Sequence, residues 1–285
     1  MLEKKLDALR ASLRDMESVV VCYSGGVDSV FLLKVAVDEL GDKALALTAL
    51  SPALAQREAE QAKSLAVSFG ARHILRRSQE LADDDYSANP SNRCYYCKTE
   101  LMRIAAEVAD EERARFILIG TNLDDLGGHR PGLKAANEGS ARHPLVEAEL
   151  SKREIRALSK RLGLSTWDKP QMACLASRFP YGTAITAERL NRVEAFEAAL
   201  LNLGFLGLRV RFHDAVARLE LEPDQLARAI DPEIRQAIVS TGKELGFAFV
   251  ALDLAGYRTG AMNEMIGVEA DPDEEQVARA KQTSD

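Results

Sequence analysis

Val19-Val20-Val21-Cys22-Tyr23-Ser24-Gly25-Gly26-Val27-Asp28-Ser29, running on into Val30-Phe31-Leu32-Leu33-Lys34-Val35-Ala36, decides the fold. The short apolar run reads as a buried strand, the paired glycines as a turn, and the stretch from Ser29 to Leu40 as a helix. In that order, the turn's N–H groups and the positive end of the helix converge on one point, a natural seat for a pyrophosphate. Ser24 and Ser29 add hydroxyl donors, and Asp28 either caps the helix or holds a magnesium ion. The GxxxxGK[ST] loop of the common nucleotide triphosphatases does not occur. A loop of Ser24, Gly25, Gly26, Val27, Asp28 and Ser29 suits an enzyme that attacks the α-phosphate and leaves pyrophosphate in the loop. The plainer alternative is a glycine turn with a capped helix.

Outward from that stretch, short apolar runs alternate with helical patterns. Strands are expected at 18–23, 44–49, 73–75 and 115–120, with helices at 29–40, 54–69, 100–112 and 151–162. This is the rhythm of an α/β protein with a mostly parallel sheet and helices on both faces. The segments after the strands ending near 23, 49 and 120 should ring one crevice at the carboxyl ends of the sheet. Pro170 and the stretch Cys174–Gly182 break the pattern, so a domain boundary is expected near 180. A nucleotide-binding domain would then span 1–180. A smaller α/β domain for substrate binding or oligomerisation would span 181–270, with a helix at 187–201 and strands at 208–213, 217–221 and 247–252. The charged tail 271–285 is expected to fray.

At 285 residues, 46% hydrophobic and 28% charged, the composition is that of an ordinary soluble protein. A net charge of −7 argues against a broad nucleic-acid surface, and no run approaches the length of a membrane span. The N-terminal segment Met1–Arg10 is charged and helical in pattern, without an apolar signal core, so the expected location is the cytoplasm.

Four cysteines do not make a disulfide framework, so ligation or catalysis is the question to ask of them. Cys94 and Cys97 form a CxxC in Asn92-Arg93-Cys94-Tyr95-Tyr96-Cys97-Lys98. Cys174 stands in Gln171-Met172-Ala173-Cys174-Leu175-Ala176-Ser177-Arg178, and Cys22 reads as a core residue of the first strand. Three thiolates are compatible with several chemistries. A thioredoxin-like pair is one. Zinc completed by His129, His143 or His213 is a second, a [4Fe–4S] cluster with one open iron a third, and unligated thiols a fourth.

The turn Tyr23–Ser29 resembles that of the PP-loop ATP pyrophosphatases, which transfer adenylate to a substrate. Asn92–Lys98, Gly120–Asp125, Arg130–Ala136, Cys174–Gly182, Leu208–His213 and Gly256–Gly260 narrow the likeness to the LarE family across nearly the whole chain. That resemblance implies an ATP-dependent sulfur transferase. It would adenylate a carboxylate of pyridinium-3,5-biscarboxylic acid mononucleotide and replace the adenylate with sulfur. One form of the family sacrifices the sulfur of a single cysteine, at the position of Cys174. The other holds a [4Fe–4S] cluster on three cysteines, matched here by Cys94, Cys97 and Cys174, with a cluster-bound sulfide as donor. The resemblance also implies ATP and Mg2+, a small nucleotide substrate and a homo-oligomer, a hexamer. It leaves any sulfur-donor protein unidentified.

The chemistry needs two anions brought together, so cations and a metal must offset their repulsion. Asp28 is the first candidate for magnesium. Asp124 and Asp125, after the strand ending at Gly120, point toward the same crevice, and one of the two is expected to be structural. Thr48 follows the second strand, where an adenosine would lie. Alternation over 208–213 puts Arg209, Arg211 and His213 on one face, and two arginines two residues apart make a phosphate clamp. The simpler alternative pairs them with Arg218 and Glu220 on a solvated face. The resemblance carries Arg209 and Arg211 over as ligands of the substrate phosphate and adds Glu197 as an active-site acid. Arg178, beside Cys174, either favours its thiolate or binds phosphate. Competing functions are a tRNA thiolase of the same loop class, an amide-forming ligase like NAD synthetase, and a nucleotide-binding zinc protein without catalysis.

Overall fold

The structure, a computed structural model, describes residues 2–127, 131–171 and 173–258. His129, Arg130, Met172, the Thr259-Gly260 end of the last motif and the tail expected to fray lie outside those residues. The chain divides into two compact units, the second beginning at Cys174.

In the first unit the elements run α1 (Leu2–Met16), β1 (Val19–Cys22), α2 (Val27–Leu40), β2 (Ala44–Leu50), α3 (Gln56–Ser68) and β3 (Arg72–Arg77). After them come α4 (Asp84–Ser87), α5 (Arg93–Glu112), β4 (Phe116–Ile119), α6 (Pro131–Glu138), α7 (Pro144–Glu147) and α8 (Lys152–Arg161). The four strands are all parallel, in the order β3-β2-β1-β4. The chain builds β2 and β3 on one side of β1 and then returns to place β4 on the other. The order therefore reverses beside β1, and the crevice at such a switch point is where open α/β sheets bind ligands.

β1 is apolar at every position because both of its faces are covered. Val19 and Val21 join the core built with α1, α2 and α8, while Val20 and Cys22 join the one built with α5. Leu6, Leu9, Leu13 and Met16 recur at helical spacing on α1 and are all buried. Each such side chain contributes roughly 1.5–3 kcal/mol. Helix α5 starts seven residues before the expected Glu100 and takes Cys94 and Cys97 into its first two turns. Its opening lacks the apolar periodicity that marks its later turns, since only Arg93 is buried before Met102.

Two glycines let the loop after β1 sit where it does. Gly25 has φ +74°, and a Cβ there would lie 2.9 Å from the Ala62 Cβ of α3. At Gly120, just past β4, a Cβ would lie 3.0 Å from the Ser29 amide nitrogen and 3.2 Å from the Asp28 carbonyl carbon. Backbone cannot yield as a flexible side chain does, so β4 approaches the first turn of α2 only with glycine at 120.

The second unit is a three-stranded sheet with helices. It comprises α9 (Ala187–Asn202), β5 (Arg209–His213), β6 (Val216–Glu220), α10 (Leu226–Ala229), α11 (Pro232–Glu244) and β7 (Phe249–Leu252). The strand order is β5-β6-β7, antiparallel then parallel. Val210 and Phe212 are buried on one face of β5, where the Phe212 ring meets Phe179 and Phe247. Arg209, Arg211 and His213 take the other face.

Replacing Gly120 with alanine should cost about 1–3 kcal/mol in urea unfolding. Gly127→Ala, where the nearest atom is 3.9 Å from an added Cβ, should be close to neutral.

Candidate active site

Strand β1 ends in a peptide held from one side by β2. The Tyr23 amide donates to the Leu47 carbonyl at 2.7 Å, and the Tyr23 carbonyl accepts from Thr48 Oγ1 at 2.6 Å. Thr48 Oγ1 also lies 2.8 Å from His73 Nε2. The hydroxyl has one proton and spends it on the Tyr23 carbonyl, so Nε2 carries the hydrogen and Nδ1 is the bare nitrogen. The His73 ring stands edge-on to Tyr23, with centroids 5.5 Å apart. Thr48, expected beside adenosine, thus uses its hydroxyl beneath the loop.

From Tyr23 the chain turns through Ser24–Gly26 into α2. The Ser24 amide donates to Ser29 Oγ at 3.2 Å, Ser29 Oγ donates to the Gly26 carbonyl at 3.2 Å, and the two serine hydroxyls are 3.1 Å apart. Gly26 holds the cap position of α2 and brings no side chain to it. The first-turn amides of the helix therefore meet the crevice uncapped, as an anion site requires.

Asp28 lies in that first turn. Its Oδ2 accepts from Lys152 Nζ at 2.5 Å, and its Oδ1 is buried without a partner among the described residues. Burial pushes its carboxyl above the ordinary value, against the pull of Lys152, and Asp125 adds to the rise. Asp124 and Asp125 sit in a short 3-10 turn, Leu123–Leu126, and do different things. Asp124 Oδ2 accepts the Lys152 amide at 2.7 Å, at the N-terminus of α8. Asp125 Oδ2 accepts the Asn122 amide at 3.1 Å in a capping box, and its charge is felt at Asp28.

Two lysines that the sequence analysis passed over reach this loop. Lys152 is one. Lys169 is the other: its Nζ donates to the Gly25 carbonyl at 3.3 Å and to Glu58 of α3 at 2.8 Å. Arg156 of α8 holds the carbonyls of Trp167 and Lys169, both at 2.9 Å, and so fixes the segment from which Lys169 reaches out. A sign of Lys152 was present in the sequence. It directly follows the cap residue Ser151, where the helix dipole favours acids, so a lysine there needs a carboxylate to face. Nothing in the pattern marked Lys169.

Cys94 and Cys97 are exposed at the start of α5 and in no disulfide, and Lys98 follows them. Helix α6 lies close by. A Cβ on Gly132 would meet the Cys94 carbonyl oxygen at 3.3 Å, Tyr95 donates to Glu138 at 2.6 Å, and Lys134 stands over the Tyr95 ring. Cys22 is different: it is buried, and burial pushes its thiol up to about 11, so it stays a protonated core residue. Among the described residues no three His, Cys, Asp or Glu side chains gather as a metal-holding set.

In the second unit Cys174 is free and exposed just before the 3-10 turn Leu175–Arg178. Arg178 is buried and pairs bidentately with Glu197 of α9, at 2.9 and 3.0 Å. It also donates to the Cys174 carbonyl at 3.1 Å. Glu197 Oε1 further accepts the Val210 amide at 3.0 Å, which ties the cysteine segment through α9 to β5. Arg211 donates to Glu220 at 2.7 Å and to the Ser177 carbonyl at 2.9 Å, a buried pair rather than a solvated one. Arg209 forms no ion pair among the described residues. It lies over the Tyr257 ring, donates to the Tyr257 hydroxyl at 3.3 Å, and is held below its usual value by burial and by Arg178. Of the two clamp arginines, Arg209 has the charge to spare.

A parallel sheet carrying the Ser24–Ser29 turn at its switch point is the α/β PP-loop fold. No family model matches the chain. Over 268 residues it is 37% identical to the pyridinium-3,5-bisthiocarboxylic acid mononucleotide synthase of Lactiplantibacillus plantarum, covering 93% of this chain and 96% of that one. An uncharacterized protein of Synechocystis is 43% identical over 93% of this chain and 99% of its own length. One of Methanocaldococcus jannaschii is 28% identical over 90% and 98%. The chain belongs to the LarE family, a family of sulfur-transfer enzymes.

His73 offers a titration check on the Thr48 contact. Burial, and then Lys63, hold its imidazole below the ordinary 6.5. Below that value the unfolded chain takes up a proton that the folded chain refuses. Stability present above 6.5 is therefore lost as pH falls toward the lowered value. His73→Gln keeps a donor for Thr48 but does not titrate. Its melting temperature should fall less than the parent's between about pH 7.5 and about pH 5.5.

Proposed function

We propose that this enzyme uses ATP to adenylate a carboxylate of pyridinium-3,5-biscarboxylic acid mononucleotide, releasing pyrophosphate, and then replaces the adenylate with sulfur. The observation that carries this reading is the uncapped Gly25–Gly26 turn with Asp28 at its rim, in a chain so similar to a named synthase of the bisthiocarboxylic product. A carboxylate oxygen attacks the α-phosphorus, the bond to the bridging oxygen of the β-phosphate breaks, and pyrophosphate stays on the loop amides. A sulfur nucleophile then attacks the acyl carbon and AMP leaves.

The residues divide this work. Ser24, Gly25, Gly26, Val27 and Ser29 bind the polyphosphate through backbone and hydroxyl donors. Asp28 fits magnesium and would hold it through Oδ1, a hard, buried oxygen without a partner among the described residues. Asp124 places the N-terminus of α8, and Asp125 steadies the turn beside Asp28. Thr48 fixes the entry to the loop. Arg209 takes the substrate phosphate, Arg211 supports the strand it stands on, and Glu197 with Arg178 positions the Cys174 segment. Soft, exposed thiols suit iron, so Cys94, Cys97 and Cys174 would hold the [4Fe–4S] cluster, which when bound supplies a sulfide as the sulfur nucleophile. Action as a homo-oligomer in the cytoplasm completes the proposal. No helix among the described residues is long and apolar enough to cross a membrane.

Incubation with ATP should yield pyrophosphate and AMP only when the pyridinium mononucleotide is present. Release of orthophosphate and ADP instead would overturn the reading. Arg209→Ala should raise the KM for that nucleotide roughly ten- to a hundredfold with kcat little changed, the loss of one charge-assisted contact. Anaerobic purification should give about four irons and matching acid-labile sulfide per chain, lost in Cys174→Ala. An iron-free protein whose Cys174 becomes dehydroalanine on turnover would show instead that the cysteine gives up its own sulfur.

A further inference from the structure

Asp28 has a cation on it that the loop itself does not supply. Lys152 Nζ lies 2.5 Å from Oδ2, while Oδ1 is buried and unpartnered among the described residues. Lys152 is set in place by its backbone. Its amide donates to Asp124 Oδ2, and the Ser151 and Glu154 capping box fixes the start of α8 on either side of it. The charged groups acting on Asp28 are Lys152, Asp125 and Arg156. A finished structural ion pair would satisfy both carboxylate oxygens, because a buried, unpaired oxygen is costly. This one is half finished. The lysine is also a hydrated point charge on a flexible four-carbon stem, 31% exposed, and free to move its head group without moving α8.

We propose that Lys152 is a displaceable counter-ion of Asp28. It balances the carboxylate while the loop is empty, yields it to the metal that arrives with the nucleotide, and transfers its ammonium to the phosphate oxygens. Two cations cannot share one carboxylate without repelling each other, whereas a metal-bound triphosphate beside them carries surplus negative charge. The arrival of the metal and the engagement of the phosphate then become one linked event. Lys152 is by this account a phosphate-binding residue as well as a counter-ion. The inference rests on the reading that the loop takes metal–ATP.

The test uses the full chain with Mn2+ as a spectroscopic stand-in for magnesium. Free Mn2+ is read by electron paramagnetic resonance, with and without an ATP analogue whose α,β bridge is a methylene. The parent should bind Mn2+ weakly alone and at least about tenfold more tightly with the analogue. Lys152→Met should bind Mn2+ alone about tenfold more tightly than the parent, bind the metal-free analogue more weakly, and lose most of the coupling. Lys152→Gln, polar and of similar reach, should match it, and melting curves confirm that both fold. A merely structural lysine gives the opposite sign, since its loss would let Asp28 wander and weaken Mn2+ binding. That result, or coupling as strong as in the parent, overturns the proposal. If the parent itself binds no analogue, the assignment of the loop to ATP fails first and takes this inference with it.

Discussion

The close approach of Gly120 to the Ser29 amide governs the first unit. It puts the end of β4 against the first turn of α2, beside the reversal of strand order next to β1. The turn Leu123–Leu126 is thereby carried up to Asp28, and with it the acids that place α8 and steady the crevice. On the opposite side, Gly25 lies against Ala62 of α3 with no room for a side chain. The loop is thus packed from two directions, and its free donors face the crevice. A site built this way needs little reorganisation to receive a phosphate.

Charge is distributed between the units with similar economy. At the loop, Lys152 and Lys169 each find a carboxylate, Asp28 and Glu58. In the second unit Arg178 and Arg211 are matched by Glu197 and Glu220, and their spare donors hold carbonyls of the Cys174–Ser177 segment. Arg209 remains over Tyr257 with no ion pair among the described residues, which leaves its charge for an anion. Breaking one of the matched pairs would strand a buried charge, a loss of about 3–5 kcal/mol, whereas Arg209 can meet a phosphate without breaking any ion pair among the described residues.

Much of this was legible in the sequence because it is local. Strand, glycine turn and helix follow each other within Val19–Leu40, and two-residue alternation placed Arg209 and Arg211 on one face of β5. The Ser151 cap and the apolar filling of β1 are likewise matters of neighbours along the chain. What was missed is long-range. Lys152 meets Asp28 across 124 residues and Lys169 meets Gly25 across 144, contacts that no periodicity announces. The start of α5 escaped because its first turns carry Cys94, Tyr95, Tyr96 and Cys97 rather than an apolar stripe. Thr48 was expected beyond the second strand, next to adenosine, but it lies within β2, and its bond to the Tyr23 carbonyl depends on the parallel register of β1 with β2. The split between Asp124 and Asp125 follows in the same way from where α8 begins.

The central claim is that a substrate carboxylate attacks the α-phosphorus of ATP. Labelling both carboxylates of the pyridinium mononucleotide with the heavy oxygen isotope and analysing the released nucleotide by mass spectrometry tests it most directly. The account predicts AMP carrying one heavy oxygen on its phosphate, left there when sulfur displaces the adenylate, and unlabelled pyrophosphate. Unlabelled AMP, or label in orthophosphate released alongside ADP, would contradict it.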